Sequence, residues 1–133
     1  MLSDSEKPDQ QNETIDLFLR KFQKELNAGT LSLVLLGVLD RAKEELYGYQ
    51  IAKLLEKAGG GRTMFKQGAL YPVLRGMSAN GLLSSRVEPS TSGPPRRYYR
   101  ITGSGRLILT KWWDAWQAPR DFVDTLMNAK DEK

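Results

Sequence analysis

The chain has 133 residues, enough for one domain with a modest core, and its 40% hydrophobic and 27% charged content suits a folded globular protein. It contains neither cysteine nor histidine, which excludes disulfides, thiolate metal sites and cysteine nucleophiles and removes the commonest general base. The formal charge of +4 is uneven: Arg62 to Lys111 holds nine basic residues and one acidic residue, Glu88, whereas both flanks are net negative, and such a basic stretch is a common footprint of polyanion binding.

In chain order, Met1 to Asn12 is acidic and polar and reads as a disordered tail. It lacks the basic and apolar regions of a signal peptide, so a cytoplasmic location is expected. From Glu13 to Asn27, Ile15, Phe18, Leu19, Phe22 and Leu26 recur at helical spacing, and Gly29 is expected to end that helix. Thr30 is placed to cap a second helix reaching about Asp40. Leucine and valine cover that helix nearly all round, so deep burial is expected, but its apolar run is too short to span a bilayer. No membrane partner is implied.

Tyr47 to Ala58 reads as a third helix, with Ile51, Leu54 and Leu55 on one stripe and three glycines ending it. A fourth helix follows in "KQGALYPVLRGMSANGLL" (Lys66–Leu83), with Leu70, Leu74 and Met77 inward and Gly81 left-handed at its stop. Pro72 sits inside it, where its ring conflicts with the carbonyl four residues back. That carbonyl belongs to Gly68, in the first helical turns, so the helix is not vetoed. Two strand-like runs, Leu83–Glu88 and Arg96–Ile101, flank the loop PSTSGPP and predict a hairpin with a long tip. Thr102 is expected to cap a last long helix, which Pro119 should kink or restart.

A helix pair followed by a two-stranded hairpin is the winged-helix order: mainly α with a β-hairpin wing, an α+β winged helix-turn-helix. In that arrangement the second helix of the pair enters a DNA major groove and the hairpin touches backbone or minor groove. Three motifs carry a family likeness: "LYGYQIAKLLE" (Leu46–Glu56), "GALYPVLRGMSANGLL" (Gly68–Leu83) and "GPPRRYYRITGSGR" (Gly93–Arg106). Their sequence and order resemble the PadR family of winged-helix transcriptional regulators, over roughly Leu31 to Trp116.

The resemblance implies a homodimer on double-stranded DNA, a repressor reading a palindromic operator. It divides the chain into a tail (1–12), an extension helix (13–29), the DNA-binding domain (30–102) and a C-terminal dimerisation helix with its tail (103–133). Dimerisation would rest on the two terminal helices. The residues expected at DNA are Tyr47 and Tyr49 at the entry to the third helix, and Lys66, Gln67, Ala69, Tyr71 and Arg75 on the recognition helix. The wing adds Ser92, Gly93, Arg96 and Arg97. Gln pairs bidentately with adenine, Lys or Arg with guanine, and Ala meets a thymine methyl. Lys66 stands where family members often carry Ser, and Ala69 where Thr or Ser is common.

Strand alternation groups Arg96, Tyr98 and Arg100 on one face, and Arg97, Tyr99 and Ile101 on the other, with Tyr99 and Ile101 inward. Arg86 adds to the positive charge of the wing. Trp112, Trp113 and Trp116 exceed what so small a core needs. With Phe18, Phe22 and Phe122 they mark a dimer interface, or a pocket walled by aromatic rings for a flat aromatic effector. The rival reading is a winged-helix protein-interaction module without DNA readout. An enzyme is the third: the chain shows no nucleophile–base pair and no metal spacing, so no catalytic residue and no cofactor is expected. "GGGR" (Gly59–Arg62) lacks the strand before it and the Lys-Ser/Thr after it that a phosphate loop needs.

Overall fold

A computed structural model describes residues 8–62 and 64–129. The elements are α1 (Pro8–Ala42), β1 (Leu46–Tyr47), α2 (Gly48–Ala58), α3 (Gln67–Ala79), β2 (Leu83–Glu88), β3 (Arg96–Ile101) and α4 (Gly103–Asn128). The helices pack on the inner face of a small antiparallel sheet of order β1-β3-β2.

Helix α1 runs unbroken through Gly29, where two helices were expected. A glycine stop requires a left-handed backbone, and Gly29 is not among the residues with positive φ. Thr30 is no N-cap. Its hydroxyl donates to the Leu26 carbonyl four residues back, at 2.9 Å, as mid-helix threonines do. Glycine costs about 1 kcal/mol in a helix interior, less than burial of the following turns contributes. Pro8–Asn12, expected in the tail, are also helical, and the rest of that tail lies outside the described residues.

Only the C-terminal half of α1 enters the core, through Leu31, Leu35, Leu36 and Leu39. Leu33, Val34 and Val38 are half-buried, so this segment is not buried all round as its composition suggested. Leu46 of β1, Ile51 of α2, Leu70, Leu74 and Met77 of α3, Leu83 of β2, and Tyr99 and Ile101 of β3 complete the core. Tyr99 and Ile101 thus point inward as the alternation predicts, and burial pushes the Tyr99 phenol up from its ordinary value.

The turn after α3 behaves as its chemistry dictates. Gly81 is left-handed at φ 81°, and the Leu82 amide donates to the Met77 carbonyl at 2.9 Å. Thr102 then closes two elements at once. Its hydroxyl accepts from the Gly105 amide at 3.0 Å, capping α4, and lies 2.7 Å from the Gly81 carbonyl and 3.0 Å from the Leu82 carbonyl. This brings α4 so close to the start of β2 that any Cβ at Gly105 would strike the Leu82 carbonyl. Helix α4 continues through Pro119 without restarting. No helix among the described residues is long and apolar enough to cross a membrane.

Two alanine substitutions separate these glycines. At Gly29 an added Cβ meets nothing within 4 Å, so Gly29→Ala should stabilise the chain by about 0.5–1 kcal/mol. Gly105→Ala, despite the same propensity gain, should destabilise it, because backbone blocks the methyl. Denaturant unfolding at matched protein concentration checks both. Destabilisation by Gly29→Ala would show that the helix stops there after all.

Candidate nucleic-acid interface

The helix pair is set by a contact that needs glycine. Gly48, the buried first residue of α2, lies under the ring of Tyr71 in α3, where a Cβ would collide with that ring. Tyr47 precedes α2 as its N-cap, and its amide donates to Gln50 Oε1 at 3.1 Å, which satisfies one helix-end donor. Tyr71 is therefore turned toward α2 and half-buried. Its hydroxyl lies 3.4 Å from Gln67 Nε2, which draws Gln67 to the same flank.

The outward face of α3 is narrower than the sequence suggests. Gly68, Ala69, Pro72, Arg75, Gly76 and Ala79 are exposed along it. Most of these side chains are small, so the helix backbone can approach a groove floor closely, and Arg75 is the long side chain among them. Lys66, the N-cap, and Gln67 stand exposed at the mouth. Pro72 is accommodated: the Ala69 amide bonds the Lys66 carbonyl at 3.0 Å in the first turn. The Gly68 carbonyl deprived of a donor belongs to an exposed residue.

The wing is tied to both helices. Ser78 of α3 donates to Ser85 of β2 at 3.3 Å, and Arg97 Nη1 donates to the same Ser85 hydroxyl at 3.1 Å. Arg97 nonetheless stays exposed, as do Arg96, Arg100, Ser92 and Gly93. On the other face of the sheet, the Arg96 guanidinium lies 4.5 Å from the Tyr47 ring centroid. Tyr47 meets Tyr98 edge-on at 5.4 Å, and Arg86 covers Tyr98 at 4.9 Å. Tyr47 is thus occupied within the protein, whereas Tyr49 is half-exposed, with Lys53 Nζ 5.5 Å from its ring. Lys53 was missed in the sequence. Its signal is the spacing of four from Tyr49, which puts both on one helix flank.

Arg86 differs from the other arginines of the wing. Its Nε contacts both Glu45 carboxylate oxygens, at 2.9 and 2.8 Å, and its Nη1 donates to Glu88 at 2.9 Å. The hydrogen bond from Arg86 holds the Glu45 carboxyl below its ordinary value, and the two carboxylates raise the arginine. Composition alone cannot reveal that this charge is neutralised locally.

The aromatic residues divide. Trp112 packs against the core, and Trp113 and Trp116 line a cleft of about 610 Å³ between α1 and α4. Arg120 lies 5.9 Å from the Trp113 ring. Phe18, Phe22 and Phe122 do not line that cleft and are 64%, 59% and 69% exposed. Among the described residues no cluster of acidic side chains could hold a metal ion.

Comparison with known proteins agrees with this architecture. Residues 35–111 match the model of the transcriptional regulator PadR-like family. The chain is similar to a PadR family transcriptional regulator from Eggerthella lenta, at 30% identity and a TM-score of 0.71, covering 89% of this chain and 99% of that one. It is also similar to Bacillus subtilis PadR in complex with operator DNA, at 27% identity and a TM-score of 0.55, covering 63% of this chain and 45% of that one. An uncharacterised protein of Lysinibacillus sphaericus is 24% identical over 96 residues, which span 72% of this chain and 85% of that protein. The family match covers more than half of the chain and coincides with the helix pair, wing and cap just described, so the protein belongs to the PadR-like family, whose members are transcriptional regulators and not enzymes.

Proposed function

We propose that this chain is a homodimeric repressor of the cytoplasm that reads a palindromic operator with recognition helix 67–80 and wing 83–101. The observation that carries the reading is the exposed, small-residue face of α3, flanked by Arg75, Lys66 and Gln67 and followed by the exposed wing arginines. The structural likeness to a PadR solved with operator DNA supports it. Gln67, Ala69 and Arg75 would meet base edges, with Lys66, Tyr49 and Arg97 on phosphates and Ser92-Gly93 in the minor groove. Tyr47 and Tyr71 act by holding α2 and α3 in place, and Arg96 leans on Tyr47 while keeping its outer N–H groups free for phosphate.

The dimer is supported by apolar surface left open on both long helices. On α1, Ile15, Leu19, Phe22 and Leu26 are exposed at spacings of four, three and four; on α4, Phe122, Val123, Leu126 and Met127 are exposed. These are the stripes that two packing helices require. Two protomers so joined would present recognition helices roughly 34–36 Å apart, one helical turn of DNA. The cleft walled by Trp113 and Trp116 lies beside the α1 stripe and suits a flat aromatic effector.

Four results are expected. In a mobility-shift titration, Gln67→Ala should lose about 1–3 kcal/mol of discrimination at one base position. Arg97→Ala should weaken binding to all sequences alike and reduce the salt slope by about 0.9. Absence of salt-sensitive, sequence-selective binding in a random-sequence selection would sink the DNA reading. Phe22→Asp should give a monomer by light scattering, and an unchanged dimer mass would remove α1 from the interface. Titration with a flat aromatic dye should quench the indole fluorescence in the wild type and less in Trp113→Phe. Equal quenching in both would place the dye elsewhere.

A further inference from the structure

We infer that Arg86 is a positioning residue that braces the wing against the helix pair, and is not one of the phosphate contacts of the basic segment. The sheet order puts β3 between β2 and β1, with Arg86 opposite Tyr98 and Tyr98 opposite Tyr47. Adjacent strands lie about 4.8 Å apart. The Arg86 side chain therefore crosses the width of the sheet, passing over the Tyr98 ring at 4.9 Å to reach Glu45 on the far side. Glu45 immediately precedes β1, and β1 leads directly into α2. The backbone joins wing and helix pair at this edge through a pairing of only two residues, Leu46 with Tyr99 and Tyr47 with Tyr98. The Nε–H is shared between the two Glu45 oxygens and Nη1 is held by Glu88, so the guanidinium is fixed at two of its nitrogens, and this bridge sets the angle that the two-residue pairing leaves soft.

Charge leads to the same assignment. Arg86 brings one positive charge and is paired with two carboxylates, Glu45 and Glu88, so its own charge is fully matched within the protein. A phosphate would have to displace a carboxylate already seated on the guanidinium. Among the described residues Arg97 is bound only to a serine hydroxyl, and Arg96 only to a ring face; both keep N–H groups for an anion. The assignment rests on the DNA reading above for its consequence in binding, but its structural half is independent of DNA.

The test uses the full chain and a duplex recovered by selection from random sequence. Glu45→Gln gives the sharpest contrast. It removes a negative charge, so a purely electrostatic surface would bind DNA more tightly, whereas loss of the brace weakens binding. Glu45→Gln, Arg86→Gln and Arg86→Lys should each weaken binding by about two- to fivefold, the scale of an exposed ion pair. The salt slope should stay at the wild-type value, in contrast to the fall of about 0.9 expected for loss of one phosphate contact. In the free protein, amide hydrogen exchange should speed up in the β1–β3 pairing and stay unchanged in the β2–β3 hairpin. Tighter or unchanged binding by Glu45→Gln, full retention of affinity by Arg86→Lys, or a lowered slope in Arg86→Gln would overturn the assignment. So would unchanged exchange in the β1–β3 pairing. If the wild type binds no sequence selectively, the DNA reading falls, and the exchange measurement alone decides whether Arg86 braces the wing.

Discussion

The pairing of Leu46 and Tyr47 with Tyr99 and Tyr98 is the constraint on which the geometry of this protein depends. It makes β3 the central strand, and a central strand must satisfy two neighbours and two faces at once. Tyr99 and Ile101 supply the inner face and close over the core leucines of α1 and α3. Tyr98 supplies the outer face, where Tyr47 and Arg86 lie against it. Remove the pairing and the hairpin is a two-stranded ribbon held to the helices through its inner face and the Ser78–Ser85 bond alone. With it, the wing has a defined direction relative to α2, and through the Gly48–Tyr71 contact α2 has a defined direction relative to α3.

The same economy of contacts explains where the charge is available. Basic residues dominate from Arg62 to Lys111, but position decides what each one does. Arg86 and Arg106 are engaged with carboxylates, the latter with Asp40 of α1 at 3.3 Å. Arg75, Arg96, Arg97 and Arg100 are exposed without an ion-pair partner among the described residues. The field presented by the surface is therefore smaller than the count suggests, with Lys66 and Arg75 at the recognition helix and three arginines on β3 among the charges left unpaired within the described residues. A polyanion is attracted by the sum of charges, but it is held in register by those that remain unpaired.

Much of this was legible in the sequence because it is written in local chemistry. The alternation in Arg96–Ile101 fixes which tyrosine is buried, the Thr102 hydroxyl announces the start of α4, and Gly81 marks the stop after α3. Most of the misreadings involve partners distant along the chain. Gly29 followed by Thr30 imitates a helix stop and a cap, yet burial of the leucines beyond it carries the helix through. The strand β1 has two residues, too few to show any period, and exists because Tyr98 and Tyr99 are already in place to receive it. Glu45 and Arg86 are 41 residues apart, and nothing in either neighbourhood indicates that one will cancel the other. Tyr71 reads as an outward aromatic until Gly48 is seen beneath it.

The continuity of α1 changes how the terminal helices should be understood. A hinge at Gly29 would let the N-terminal segment dock on a partner independently of the DNA-binding fold. A continuous helix forbids that. Its C-terminal half is fixed in the core by Leu35, Leu36 and Leu39, so its N-terminal half, about 30 Å of helix at ~1.5 Å per residue, projects in a direction the core determines. Asn27 adds a second restraint, its amide donating to the Met64 carbonyl at 3.0 Å in the turn that leads to α3. In the proposed dimer, the partner would therefore grip a rod rigidly connected to the recognition helix. The distance between the two recognition helices would then follow from where the apolar stripes of α1 and α4 meet. Anything that entered the cleft between those helices and shifted their contact would change that distance, and with it the spacing of half-sites that the pair can bridge.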